Sequence, residues 1–303
     1  MLMLKRLLKR FKCIDRLAFN IYSRLAFCLS RLWCSCCQTA VEADRCGMLI
    51  LTIAFNNEKL IERQFELIKT NIKDQNYRYM VGDNSTSSEK RRAIRQVCQK
   101  YGIDYVPVPR LICFLTNCQV AVSHGAALNW VYYHVLRKMK PRRFAIIDHD
   151  IFPVKPYDMS SAVSEQDFYG VSRIFNGEWY LWAGWCIFDF DKFTARPDFL
   201  PLYTKKNFLD TGGGNYQRFY YRYEVGNISF PVVRTLRYKK TEGLKRHSDV
   251  YHSDYIQIVD ESWLHVINGS NWANIPGKED VISQILTGID QFYDTVCVKI
   301  REN

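Results

Sequence analysis

RFAIIDHD, residues 143–150, is a short apolar run that ends in two carboxylates two positions apart. Such a run reads as a strand covered on both faces. Residues two apart on an extended segment point the same way, so Asp148 and Asp150 are expected to converge. Two converging carboxylates suit a hard divalent cation, and a cation in turn stabilises a diphosphate as it leaves a sugar. A lone D-x-D triplet is usually a solvated turn. Its place at the end of a buried strand is what gives it weight. His149, between the two acids, is expected to point away and takes no role.

The segments on either side repeat one pattern. MLILTIAF (48–55) is a continuous apolar run and reads as a strand. EKLIERQFELIKTNIK (58–73) is helical, with Leu60, Ile61, Phe65, Ile68 and Ile72 on one stripe. YRYMVGDN (77–84) reads as a second strand, SSEKRRAIRQVCQK (87–100) as a helix with a Ser-rich start, and IDYVPV (103–108) as a short strand. A longer helix is expected over 119–139. Strands alternating with helices predict an α/β fold with a mostly parallel sheet, in which ligands bind at the carboxyl ends of the strands. Those ends carry Phe55-Asn56-Asn57, Gly82-Asp83-Asn84-Ser85 and Asp148-His149-Asp150. The second half is less regular and rich in Trp and Tyr. Its stretch 234–247 is basic without an apolar period and reads as a mobile loop.

Composition sets the limits. With 303 residues, 48% hydrophobic and 24% charged, the chain is a folded globular protein, not a disordered or fibrous one. No apolar stretch of the kind a polytopic membrane protein needs is present. The net charge of +11 is unevenly spread: residues 1–47 hold nine Lys or Arg against three acids. The remainder is nearly balanced and lacks any reader motif, so nucleic acid is not an expected partner. The 11 cysteines are odd in number and scattered, which argues for reduced thiols. Cys34, Cys36 and Cys37 are candidates for acylation.

Two units are expected, a basic arm over 1–46 and a body over 47–303. Within 4–36, Leu4, Leu7, Leu8, Phe11, Ile14, Ala18, Ile21, Leu25, Leu29, Leu32 and Cys36 share one side of a helix. Lys and Arg fall mostly on the other. That is the pattern of an amphipathic helix lying on an anionic membrane. Spanning by Leu17–Cys37 would place Arg24 and Arg31 in the bilayer, each costing about 2.5–3.5 kcal/mol near its centre, so lying on the surface is the better reading. A cleaved leader fits less well, since Arg24 interrupts its apolar region. A peripheral place on the cytosolic face of a membrane is therefore expected.

The body resembles the glycosyltransferases of the GT-A fold, in layout family two of that class. The likeness covers most of residues 48–222. It is carried by Phe55-Asn56-Asn57-Glu58, VGDNSTS (81–87), SHGAALNW (123–130), AIIDHDIFP (145–153), LWAGWCIFDF (181–190) and FLDTGGGNYQRFYYR (208–222). Where that family has Glu-Asp at its late acidic position, this chain has Leu209-Asp210-Thr211. The resemblance implies a Rossmann-like domain that transfers a sugar from a UDP- or GDP-sugar to a hydroxyl of a glycan or lipid-linked glycan, with inversion. It implies donor contacts from Phe55, Asn57, Asp83, Asn84, Asn129 and Asp148. Mn²⁺ or Mg²⁺ would be held by Asp148, Asp150 and His265. Asp210 would be the base, and Trp182, Trp185, Thr211 and Gly212 would face the acceptor. The Gly212-Gly213-Gly214 run would let a loop close over the acceptor. Two other classes remain: a nucleotidyltransferase that makes nucleotide-sugars, and a non-catalytic carbohydrate- or membrane-binding module. The first lacks its Gly-rich phosphate loop at AFNNEKL (54–60); the second has no need of Asp148, Asp150 and Asp210 together.

Overall fold

A computed structural model describes residues 2–32, 46–193, 196–237, 255–267, 269 and 278–301. The apolar run that opens the body becomes β1 (Met48–Ala54), buried along its whole length. Helix α2 (Glu58–Asn71) follows, its first turn closed by Asn57, whose Oδ1 accepts from Leu60 N. Then come β2 (Tyr77–Asp83), α3 (Ser88–Tyr101) and β3 (Asp104–Pro107). Ser87 caps α3 as its Ser-rich start suggested, and Gly102 ends the helix at φ +68, a conformation that favours glycine. A short helix α4 (Arg110–Thr116) leads to α5 (Val120–Val131), which runs on through a π turn at Tyr132–Leu136. β4 (Arg143–Ile147) completes the parallel set.

The order in the main sheet is β3-β2-β1-β4, extended by β7 (Glu178–Asp189) and β6 (Phe168–Phe175). The first four strands are parallel, and β7 and β6 run antiparallel to their neighbours. The α/β expectation with a mostly parallel sheet is met. The winding changes direction between β1 and β4, and a crevice opens at the carboxyl ends of strands at such a switch point.

A second, antiparallel sheet has the order β10 (Val233–Arg237), β11 (Tyr255–Val259), β12 (Trp263–Val266) and β5 (Ile151–Pro153). So the chain leaves one sheet at Ile147 and enters the other at Ile151, with Asp148-His149-Asp150 as the corner. β8 (Leu202–Tyr203) and β9 (Phe208–Leu209) form a small hairpin ahead of Asp210. Of the basic stretch expected to be a loop, Arg234–Arg237 belongs to β10; residues 238–247 lie outside the described residues.

The N-terminal segment is one helix, α1 (Leu2–Leu32). Cys34, Cys36 and Cys37 lie outside the described residues. No helix among the described residues is long and apolar enough to cross a membrane. The helix is more than an appended arm. Ser23, Ala26, Phe27 and Ser30 are buried against the body. Asn20 exchanges two hydrogen bonds with the Tyr203 backbone, at 2.8 and 2.9 Å. His134 Nε2 lies 3.0 Å from Ser30 O, and the Phe27 ring meets Tyr133 and Arg218. Its cohesion with the body predicts a cost for trimming the contact. Phe27→Ala should lower stability by about 3 kcal/mol, the usual size for an aromatic removed from a core, measured as a shift of the urea midpoint. A loss below about 1 kcal/mol would mean that the helix docks only loosely.

Candidate active site

β4 stops at Ile147, so Asp148 and Asp150 do not converge by strand alternation. They sit in a turn in which Ile151 N donates to Asp148 O at 3.1 Å. The corner is held from beneath by Gln64, fully buried on α2. Its Nε2 donates to the Asp148 carbonyl (2.8 Å) and the Ile151 carbonyl (2.6 Å). Its Oε1 accepts from Thr52 Oγ1 (3.0 Å) and Tyr79 OH (2.6 Å). Every polar atom of this amide is thus satisfied, which is how a buried polar group becomes a rigid brace. The sequence held a signal for it: Gln64 interrupts the apolar stripe Leu60, Ile61, Leu67, Ile68 on the buried face of α2.

His149 ties the corner to β1. Its Nδ1 lies 3.3 Å from Phe55 N and 3.2 Å from Ile53 O. It also borders the smaller of two cavities. That cavity, about 160 Å³, lies at the β1–β4 switch point among Phe55, Asn84, Asn117, Ser123, His124 and the acids of the corner. The larger cleft, about 830 Å³, also borders the acids and is walled by Arg173, Tyr180, Trp182, Asp210, Thr211 and His265. Asp148, Asp150, His124 and Val120 border both.

The electrostatics of the junction follow from burial. The Asp148 carboxyl is raised well above its ordinary value, first by desolvation and then by the charges of Asp150 and Asp210. Neither Asp148 nor Asp150 has a Lys or Arg ion pair among the described residues. Their close neighbours are imidazoles: His124 Nε2 lies 3.3 Å from Asp148 Oδ1, and His265 Nε2 lies 3.9 Å from Asp150 Oδ1. Burial, followed by the His149 charge, lowers His124 to about 4, so it is neutral at pH 7 and offers no charge to Asp148. Oxygen and imidazole donors around uncompensated negative charge fit a Mn²⁺ or Mg²⁺ ion in kind. Among the described residues, no three His, Cys, Asp or Glu side chains are gathered closely enough to enclose an ion by themselves.

His265 arrives through sheet register. On β12 it pairs with Ile151, next to Asp150. Its Nδ1 lies 2.9 Å from Gln257 Oε1, and its ring lies tilted against Trp182, centroids 4.9 Å apart. Gly269 packs so close to Asp150 that an added Cβ would lie 2.6 Å from the aspartate Cβ. Asp210 follows β9 on the cleft wall. Its backbone N donates to Tyr180 OH at 2.9 Å, and its Oδ1 accepts from Thr211 N at 2.8 Å. Burial pushes the Tyr180 phenol up to about 12, which keeps it protonated.

The sequence-expected residues divide clearly. Phe55, Asn84 and Asp148 border the small cavity, and Asp148, Asp150, Asp210, Thr211, Trp182 and His265 border the cleft. Asn84 is held by Ser123 Oγ (3.0 Å) and Cys113 Sγ (2.9 Å). Asp83, Asn57, Asn129 and Trp185 border neither. Both Asp83 oxygens are engaged, Oδ1 by Ser85 N and Oδ2 by Tyr105 OH. Asn57 caps α2, and Asn129 binds Phe199 N and Asp198. Trp185 is buried and packs on Tyr157, Tyr169 and Trp263. Gly212 (φ +96) is buried, and a Cβ there would lie 2.6 Å from Leu181 O. Gly212 N and Gly214 N donate to Phe199 O and Leu200 O, so the triple glycine forms a packed turn, not a closing loop. Gln64, His124, Arg173 and Tyr180 are additions that the sequence reading missed.

No family model and no curated protein matches the chain. Among solved structures it is similar to the galactosyltransferase LgtC in complex with donor and acceptor sugar analogs, at 14% identity over 48% of this chain and 59% of that one, TM-score 0.36. It is similar also to the mannosyltransferase PcManGT from Pyrobaculum calidifontis in complex with GDP-Man and Mn²⁺, at 14% identity over 58% and 55%, TM-score 0.31. A third is the mannosyltransferase Ktr4p from S. cerevisiae, at 11% identity over 57% and 66%, TM-score 0.32. The chain spans less than two thirds of the length of each. These likenesses are distant, and it is the geometry of the cleft that bears on function.

The brace under the corner yields a prediction. Gln64→Glu keeps the volume but replaces the two N–H donors with an acceptor, leaving the carbonyls of Asp148 and Ile151 opposite an oxygen. Stability should fall by about 2–4 kcal/mol by chemical denaturation, the cost of buried groups left unpaired. A variant as stable as the parent would show that the amide does not hold the corner.

Proposed function

We propose that the chain is a glycosyltransferase: it moves a sugar from a nucleoside-diphosphate sugar to a hydroxyl acceptor. The observation that carries this reading is the meeting of two cavities at Asp148 and Asp150. A small, partly apolar pocket at the switch point suits a nucleoside. The adjoining wide, aromatic and charged cleft suits a sugar and its acceptor. A pair of uncompensated carboxylates lies at their junction, where a diphosphate bridging the two would lie.

Asp148 and Asp150, with His265 beside them, are the residues that would hold Mn²⁺ or Mg²⁺. When bound, such an ion supplies charge neutralisation for the leaving diphosphate. Among the described residues these side chains do not enclose an ion by themselves, which would leave room for the donor diphosphate. Phe55, Asn84 and Ser123 contact the nucleoside in this reading. Asp210 accepts the proton of the acceptor hydroxyl as its oxygen attacks the sugar carbon opposite the leaving phosphate, which inverts that carbon. Tyr180 and Thr211 fix the Asp210 backbone and carboxylate. Trp182 borders the cleft with Arg173 5.5 Å over its ring, and the pair puts an aromatic edge and a cation at the acceptor side. UDP- and GDP-sugars are both candidate donors, and a glycan or lipid-linked glycan is the acceptor class.

Two experiments test this reading. In a panel of UDP- and GDP-sugars with Mn²⁺ or Mg²⁺, at least one should release free UDP or GDP, and chelator should stop the release. Release unchanged in chelator would remove the metal from the account. Second, Asp210→Asn should lower turnover by roughly 10²–10⁴-fold, the range for a lost general base, while donor affinity changes little. Normal turnover with a large loss of donor affinity would make Asp210 a binding residue instead.

A further inference from the structure

Among the described residues, one side of α1 from Asp15 onward is docked on the body and the other is exposed. Leu17, Ile21, Leu25 and Leu32 are 61, 51, 63 and 77% exposed and fall on one stripe of the helix. The buried Ser23, Ala26, Phe27 and Ser30 lie opposite. A single exposed leucine is ordinary, but a stripe of four is a surface in want of a partner. The body extends it. Tyr22 OH donates to Leu115 O at 2.9 Å, which sets α4 beside α1 with Phe114 and Leu115 exposed. Two more exposed apolar side chains, Val120 and Phe208, stand on the wall of the larger cleft, and Phe208 packs edge-on against Phe19 of α1. An apolar surface therefore adjoins the cleft.

Charge selects the occupant. The sequence of α1 holds eight Lys or Arg and a single acid, Asp15. A second copy of the chain docked on this stripe would bring like charge against like charge. An anionic phospholipid surface meets both features, taking the leucines into its headgroup boundary and neutralising the cations.

We propose that the outward stripe of α1, with Phe114 and Leu115, docks on an anionic phospholipid bilayer and sets the cleft at the membrane surface, where the acceptor hydroxyl belongs to a lipid or lipid-linked glycan. The docking stands by itself; the acceptor's place in the bilayer rests on the transferase reading above.

The test uses the full chain with two kinds of vesicle, phosphatidylglycerol mixed with phosphatidylcholine, and phosphatidylcholine alone. The protein should sediment with the anionic vesicles, much less with the neutral ones, and less at high salt. A Leu17→Glu/Leu25→Glu variant changes only exposed side chains. It should lose about tenfold or more in partition while its melting temperature and donor hydrolysis stay as in the parent. Equal binding by the variant, or no binding by the parent, overturns the docking. So does a dimer in light scattering that the variant dissolves, which would assign the stripe to a second copy. Absence of donor hydrolysis in the parent would instead fault the transferase reading, and vesicle binding would be unaffected by it.

Discussion

The structure turns on the four hydrogen bonds of one buried amide. Gln64 reaches from α2 to the two carbonyls that bracket the corner at Asp148–Asp150, and it is itself held by Thr52 on β1 and Tyr79 on β2. One helix and two strands of the parallel sheet therefore fix the point at which the chain changes sheets. Each bond by itself is worth only about 1 kcal/mol net, but leaving any of them unmade in the interior costs more. The corner cannot relax without exposing that cost. This lets a short turn hold two carboxylates, Asp150 buried and Asp148 half-buried, close together against their mutual repulsion.

The corner's rigidity organises what surrounds it. Because β5 begins directly after Asp150, the antiparallel ladder with β12 brings His265 alongside. Because β7 pairs with β4, Asp148 N donates to Gly184 O at 2.7 Å, and Trp182 folds its ring over Gly184, where no Cβ would fit. The β8–β9 hairpin that leads to Asp210 is steadied by Asn20 and Phe19 of α1. The helix thus supports one wall of the cleft on one side while Leu17, Ile21, Leu25 and Leu32 on its other side are exposed among the described residues. The two roles use different residues of the same helix.

The parallel half of the fold was legible because each strand there is a continuous apolar run and each helix has one apolar stripe. The second sheet was not, because its strands are short and its pairing joins residues far apart in sequence, such as Ile151 with His265. The acids Asp148, Asp150 and Asp210 stood out as charges beside apolar segments, and all three line the cleft. Of the donor-side residues named by resemblance, Phe55 and Asn84 border the small cavity, while the side chains of Asp83, Asn57 and Asn129 are engaged within the protein. Gln64 and His124 escaped notice because a polar residue within an apolar helix looks like noise until its partners are known. The glycine run at 212–214 read as freedom, but glycine is there for closeness of packing.

The central claim is that the corner binds a cation together with a nucleoside diphosphate. Mn²⁺ electron paramagnetic resonance tests it most directly, since the free-ion signal shrinks as the ion is bound. Adding the protein with UDP or GDP should deplete that signal well beyond what the nucleotide does alone, and an Asp148→Asn/Asp150→Asn variant should abolish the excess. Depletion by the variant equal to that by the parent would contradict the account.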